Sequence, residues 1–143
     1  MSILAAVVRD DSSYTAVLDA ASALAGSDSF EVLSLYPSPA SHEEVRFHSP
    51  AEKTAAARAA VKEAIEADLK ARSLDGLVNV PVARLYNLGD NIVEHAQEMG
   101  ATLVVIGTHG RSGLSRLFLG SVAERVVRHA HCDVYVARPQ RSD

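Results

Sequence analysis

The stretch LVVIGTHGRSGLSRLFLGSVAERVVRHA, residues 103–130, decides the fold that the sequence predicts. It opens on the apolar run Leu103 to Ile106, which lacks alternation and is typical of a strand buried on both faces. Gly107 ends that strand, and Ser121-Val-Ala-Glu124 matches a capping box, so we expect a helix to begin near Ser121. The segment therefore predicts a strand, a glycine-containing turn and a helix in succession.

The same segment has the chemistry of an anion site. Glycines at 107, 110 and 120 let the backbone approach a ligand with no Cβ in the way. The free N–H groups at the start of a helix favour negative charge. Phosphate fits this chemistry, while an ordinary turn before a capped helix explains the same residues on local physics alone.

The spacing Gly107-x2-Gly110-x9-Gly120-Ser121 resembles the G-2x-G-9x-G-(S/T) signature of the ATP-binding branch of the universal stress protein family. A weaker resemblance extends from Ile3 to Arg138. It implies a single Rossmann-like α/β domain over residues 1–143 that binds ATP, with or without Mg²⁺, and forms a homodimer. It also implies a small regulator or sensor of stress.

The resemblance carries specific expectations for the nucleotide site. Backbone amides near the glycines and the Ser121 hydroxyl would meet the phosphates, and Leu35 would lie against the adenine. Asp10 would accept a hydrogen bond from ribose or adenine, but an alternative alignment places Val8 there, and a solvated turn carboxylate explains Asp10 equally well. The predicted nucleotide-contacting residues are Asp10, Leu35, Ile106, Gly107, His109, Gly110, Arg111, Gly120, Ser121 and Val122.

The chain alternates strands with helices, which predicts a parallel sheet covered on both faces. The predicted strands are Ile3–Val8, Phe30–Tyr36 (stopped by Pro37 and Pro39), Val78–Tyr86, Leu103–Ile106 and Cys132–Arg138. The predicted helices are Tyr14–Ala25, one that begins at Ser49-Pro50 and runs to Ala71, one capped by Gly89-Asp90 and ended by Gly100, and one from Ser121. The resemblance implies the strand order 3-2-1-4-5, in which a ligand would bind where the order reverses, between strands 1 and 4.

Composition limits the classes of partner. A net charge of -4 and a pI near 5.8 supply no general attraction to nucleic acid or anionic lipid, so we predict neither as a partner. The single Cys132 cannot form an internal disulfide, and we see no leader or membrane-spanning run, so we expect a cytoplasmic protein. The last strand alternates in polarity, and we expect Val134, Tyr135 and Val136 to form the dimer interface.

Two other functions stay open at this stage. One is a structural or signalling dimer that binds no nucleotide. The other is a slow ATP hydrolase or phosphotransfer enzyme that would need Asp10 or Asp11 on magnesium, although residues 110–120 lack the spacing and the lysine of a Walker loop. The His129-Ala-His131-Cys132 cluster suits a helix end better than a metal site. We predict no catalytic residue and no metal ligand.

Overall fold

A computed structural model describes residues 1–38, 50–84, 87–108 and 120–139. Strands alternate with helices along these ranges. The strands are β1 (Ile3–Ala6), β2 (Phe30–Leu33), β3 (Tyr36–Ser38), β4 (Gly76–Asn79), β5 (Val82–Arg84), β6 (Leu103–Gly107) and β7 (Asp133–Ala137). The helices are α1 (Tyr14–Ala25), α2 (Pro50–Ala71), α3 (Leu88–Met99) and α4 (Ser121–His129).

The main sheet has the order β4-β2-β1-β6-β7, and every pair in it is parallel. Counted over the five predicted strands, this order is 3-2-1-4-5, so the predicted fold class and order are confirmed. β1 lies in the middle, where Ala6 is in register with both Leu33 of β2 and Ile106 of β6. The order therefore reverses between β1 and β6, as expected.

Helices cover both faces of this sheet, which explains the unbroken apolar runs of β1 and β6. One core lies between the sheet and α1 and α2, where Val17 and Ile65 are fully buried. The other lies between the sheet and α3 and α4, where Ile92 and Val126 are buried. In the described part of the chain, no helix has both the length and the apolar character needed to cross a membrane.

The predicted second and third strands are each divided into two parts, β2 with β3 and β4 with β5. Their pairing keeps one register throughout, since Leu33 lies opposite Asn79 and Tyr36 lies opposite Val82. The Ser34 N–H donates to the Asn79 carbonyl at 2.9 Å, and the Tyr36 N–H donates to the Pro81 carbonyl at 2.8 Å. The chain then forms the parallel pair of β3 and β5. Each predicted strand is therefore interrupted over two residues, where Pro81 has no N–H to donate to its neighbour, and resumes in the same register.

Pro37 does not stop the strand, contrary to the prediction, and lies inside β3 opposite Ala83. A proline is tolerated there because each strand of a two-stranded sheet is an edge strand. Pro39 and residues 85–86 lie outside the described residues. The first predicted strand is shorter than expected, because β1 ends at Ala6 and the chain turns from Val8 onward.

The helix bounds were predicted well, but for two helices the predicted N-terminal capping residues were wrong. α1 has the predicted bounds, and α2 begins at Pro50 as expected. The capping box was wrong: Gly120, which has no side chain, is the N-cap of α4 at φ 86°, and Ser121 is the first helical residue. Asn87 likewise precedes α3, so Gly89 lies inside the helix rather than at its cap.

Candidate functional site

The carboxyl ends of β1 and β6 mark the point where the strand order reverses, and we call the surface at these ends the crevice. The Val7 N–H donates to the Leu33 carbonyl at 2.9 Å, which draws the end of β1 toward β2. The Thr108 N–H donates to the Ala137 carbonyl at 3.1 Å, which draws the end of β6 toward β7. Ligands of open parallel sheets bind at such a reversal of strand order.

Residues 8–13, called the first loop here, form one side of the crevice. Two turns shape it, since the Asp11 N–H donates to the Val8 carbonyl at 3.0 Å and the Tyr14 N–H donates to the Asp11 carbonyl at 3.1 Å. The Ser13 hydroxyl, itself buried, donates to the Asp11 carboxylate. Val8 and Asp10, the two candidates for the ribose position, are both exposed in this loop.

Gly107 packs directly against the first loop. A Cβ added at Gly107 would overlap both the Oγ and the Cβ of Ser13, and it would lie 3.2 Å from Cγ2 of Val17. Because Gly107 has no side chain, the first loop can lie against the end of β6. The segment that follows β1 and the end of β6 are therefore in contact.

The start of α4 lies at the same edge of the sheet, since α4 leads into the amino end of β7. Gly120 is buried with φ 86° and ψ 148°, a conformation that side-chain-bearing residues rarely adopt. Ser121 is exposed and Val122 is half-buried. Because the first amides of a helix have no partner within it, α4 offers N–H donors here.

The starts of α3 and α4 lie side by side around a surface cavity of about 450 Å³. Its lining includes Asn87, Asp90, Ser121 and Arg125. Arg125 donates to Asp90 through Nε at 2.8 Å, and Gly89 allows the two helices to approach, since a Cβ there would lie 2.7 Å from the Cβ of Arg125. This packing fixes where the first turn of α4 stands relative to α3.

The remaining predicted residues divide between two groups. Leu35, Ile106 and Val122 belong to the apolar cluster beneath α3 and α4, where Ile106 is only 5% exposed. Gly107 instead contacts the first loop on the α1 side. The predicted contacts His109, Gly110 and Arg111 lie outside the described residues.

A polar cluster at the first loop was missed from the sequence. Arg9 donates through Nε to Oδ2 of Asp68 at 2.9 Å, and the Tyr14 hydroxyl donates to the same oxygen at 2.8 Å. Asp68 comes from α2, far along the chain. The sequence did contain a signal for this cluster. Asp68 is the one polar interruption in the apolar stripe of that helix.

The charges of this cluster support one another. The hydrogen bond from Arg9, followed by that from Tyr14, holds the pKa of the Asp68 carboxyl below its usual range. Burial, and then the bond to Asp68, raises the pKa of the Tyr14 hydroxyl. Asp68 is therefore ionised and Tyr14 is neutral at physiological pH. The first loop is thus tied to α2 by an ionic and a neutral hydrogen bond.

Comparison with known proteins gives both a family and a set of folds. The model of the universal stress protein family matches residues 1–138. A universal stress protein of Methanocaldococcus jannaschii is 48% identical over 54 residues, which are 38% of this chain and 32% of that protein. The matched segment therefore spans about a third of that relative's length.

Two solved structures have the same fold. The universal stress protein UspA of Lactobacillus plantarum superposes with a TM-score of 0.77 at 22% identity, over 96% of this chain and 97% of that one. A universal stress protein in complex with cAMP superposes with a TM-score of 0.63 at 23% identity, over 98% of each chain. At these sequence identities, the similarity to the two structures shows a shared fold.

Proposed function

This chain belongs to the universal stress protein family, and we propose that it binds ATP in the crevice between the ends of β1 and β6. The observation that carries the proposal is the packing of Ser13 on Gly107, which brings the first loop to the first glycine of the G-x2-G-x9-G-S spacing. The structural neighbour that is in complex with cAMP supports the class of ligand, since cAMP and ATP share an adenine base and a phosphate.

The start of α4 would bind the phosphates. Its first amides have no partner within the helix, and the positive end of the helix dipole favours an anion. Ser121 does not cap its own helix, so its hydroxyl can act as a further donor to a phosphate oxygen. The predicted contacts His109, Gly110 and Arg111 would complete the cradle, with Mg²⁺ as the companion of the triphosphate.

The adenosine would lie toward β1 and β2. Leu35, half-buried at the end of β2, would contact the adenine, and Ile106 would close the apolar floor beneath it. Asp10 or Val8 of the first loop would meet the ribose. We assign no residue as a base, so the proposed activity is binding without efficient turnover, as in a regulator of a stress response.

The proposed regulator is a cytoplasmic homodimer that associates through β7. This strand is an edge of the described sheet, and Tyr135 on it is 47% exposed. Val134 and Val136 pack on the cluster beneath α3 and α4, so Tyr135 supplies the exposed apolar surface. The Thr108 to Ala137 hydrogen bond links β7 to the crevice, which gives a bound nucleotide a route to the interface.

The test is a calorimetric titration of the nucleotide-free protein with ATP and Mg²⁺, repeated on Ser121→Asp. A carboxylate in the first turn suits the helix dipole, so this variant should fold, but it would repel the phosphates. Ser29→Asp is the matched control, because Ser29 is also exposed and lies before the amino end of β2, at the opposite edge of the sheet. We expect Ser121→Asp to bind at least about tenfold more weakly and Ser29→Asp to bind like the parent.

Two results would contradict the proposal. If the parent does not bind ATP at millimolar concentration, a dimer without nucleotide takes its place. If a folded Ser121→Asp variant binds like the parent, the nucleotide lies elsewhere. Substitution of Gly120 is a poorer test, because its φ of 86° makes any side chain strained whether or not a ligand binds.

A further inference from the structure

We propose that Asp68 of α2 is a positioning residue that fixes the first loop in its nucleotide-binding conformation and keeps Asp10 available to the ligand. The inference rests on the proposed ATP site, which the first loop borders. Asp68 itself does not line the crevice, and it acts through Arg9 and Tyr14.

The geometry supports this role because Asp68 binds both ends of the loop segment. Arg9 lies near the start of the first loop and Tyr14 follows its end, and both donate to Oδ2 of Asp68, at 2.9 Å and 2.8 Å. The turns inside the loop use only its own backbone and that of Tyr14. The described contacts that fasten this loop to the rest of the chain include the Ser13 packing on Gly107 and the Asp68 pair.

The charges explain why the loop needs this partner. Arg9 is followed directly by two acidic residues, Asp10 and Asp11, so its guanidinium has competing carboxylates within its own loop. Asp68 engages the guanidinium through Nε, and the Asp11 carboxylate accepts the Ser13 hydroxyl. Without Asp68, Arg9 would be attracted to Asp10, which would then be less able to accept a hydrogen bond from the ligand.

The ion pair between Arg9 and Asp68 is too exposed to contribute much to the free energy of unfolding. The side chains of Arg9 and Asp68 are 44% and 32% exposed, and ion pairs of this exposure contribute little to folding. Its removal should therefore change ligand binding more than thermal stability. That difference separates a positioning role from a purely structural one.

The chain offers a second ion pair as a control. Arg72, which directly follows α2, donates through Nη1 to Oδ1 of Asp19 of α1 at 2.6 Å, and these side chains are 32% and 60% exposed. Asp19 lies further along α1 than Tyr14. Asp19→Asn removes one carboxylate charge from an exposed ion pair and leaves in place the bonds from Arg9 and Tyr14 to Asp68.

The experiment measures two quantities for the parent, Asp68→Asn and Asp19→Asn. The first is the affinity for ATP with Mg²⁺ by calorimetry. The second is the hydrogen exchange of the amides of residues 8–14 without ligand. We expect Asp68→Asn to weaken binding about tenfold and to speed the exchange of these amides, and Asp19→Asn to do neither. Both variants should have nearly the melting temperature of the parent.

A double variant checks that Asp68 acts through Arg9. If it does, Asp68→Asn should weaken ATP binding less in an Arg9→Gln background than in the parent, because the partner is already lost.

If the parent binds ATP and Asp68→Asn binds equally well, the inference is overturned while the proposed function stands. If the parent does not bind, the proposed function fails and the link between Asp68 and ligand fails with it. If Asp19→Asn weakens binding as much as Asp68→Asn, the effect is structural and the inference is again overturned.

Discussion

Ser13 and Gly107 lie in contact across the base of the crevice, so closely that a Cβ on Gly107 would overlap the side chain of Ser13. The first glycine of the phosphate-type motif is therefore required by packing, whether or not a phosphate is bound. The Ser13 hydroxyl also donates to the Asp11 carboxylate, so the same contact helps to set the shape of the first loop.

Gly107→Ala should destabilise the protein by about 1–3 kcal/mol, because the added methyl must push the first loop away from β6. Urea unfolding of the parent and the variant measures this loss. Ser13→Gly removes both atoms that the methyl would overlap, so the Ser13→Gly, Gly107→Ala double variant should cost less than the sum of the single changes. Additive losses would show that the clash is not the cause.

Gly89→Ala should also destabilise, although alanine is the better helix former. A Cβ on Gly89 would lie 2.7 Å from both Cβ and Cγ of Arg125, so α3 and α4 would have to separate. The helix-propensity gain is about 1 kcal/mol and overpacking costs about 1–3 kcal/mol, so we expect a net loss in urea unfolding. Arg125→Gly removes both clashing atoms, and in that background Gly89→Ala should become neutral or stabilising. A Gly89→Ala single variant as stable as the parent would show that the helices adjust freely.

The sequence predicted the sheet well because its evidence is local. Apolar runs such as Leu103 to Ile106 mark doubly covered strands, and the resemblance supplied their order. The interruption after Leu33 was missed because it depends on the neighbouring strand, where Pro81 has no N–H to donate, and no local pattern records that pairing. The capping box was predicted from residue types alone, and these do not record the φ of 86° that makes Gly120 the N-cap of α4.

The candidate site was predicted less completely than the fold. The motif predicted Gly107 as a ligand contact, but its packing on Ser13 became visible only in three dimensions. The partners of Asp68, Arg9 and Tyr14, lie 59 and 54 residues away in the chain. A polar residue in an apolar helical stripe indicates that a partner exists, but the sequence does not say which one.

The contribution of Asp68 to stability should disappear in acid. Its bonds to Arg9 and Tyr14 lower the pKa of the folded carboxyl below the ordinary 3.8, so the stabilisation is present above that pH and is lost as the pH falls through the folded pKa. Urea unfolding at pH values from 7 to 3 should show the parent more stable than Asp68→Asn by about 1 kcal/mol or less near neutrality, and the gap should close below about pH 4. In an Arg9→Gln background the gap should be smaller at every pH. A gap that widens in acid would contradict the assignment.

Tyr135→Asp should convert the proposed dimer to a monomer. The Tyr135 ring is 47% exposed on the edge strand β7, and an aspartate there would place an unpaired charge in an interface that buries this strand. Light scattering at micromolar concentration should give twice the 15.2 kDa chain mass for the parent and the single chain mass for the variant.

A point variant is a sharper test than removal of β7. Ala137 is 3% exposed in the core, and its carbonyl accepts the Thr108 N–H beside the crevice, so deletion would damage the fold and the site together. Leu24→Asp is the matched control, since Leu24 is a 40% exposed apolar residue on α1 and not on the edge strand. We expect Leu24→Asp to keep the parent's mass and both variants to keep its far-ultraviolet circular dichroism. A folded Tyr135→Asp variant that stays dimeric would move the interface away from β7, and a monomeric parent would remove the dimer from the proposed function.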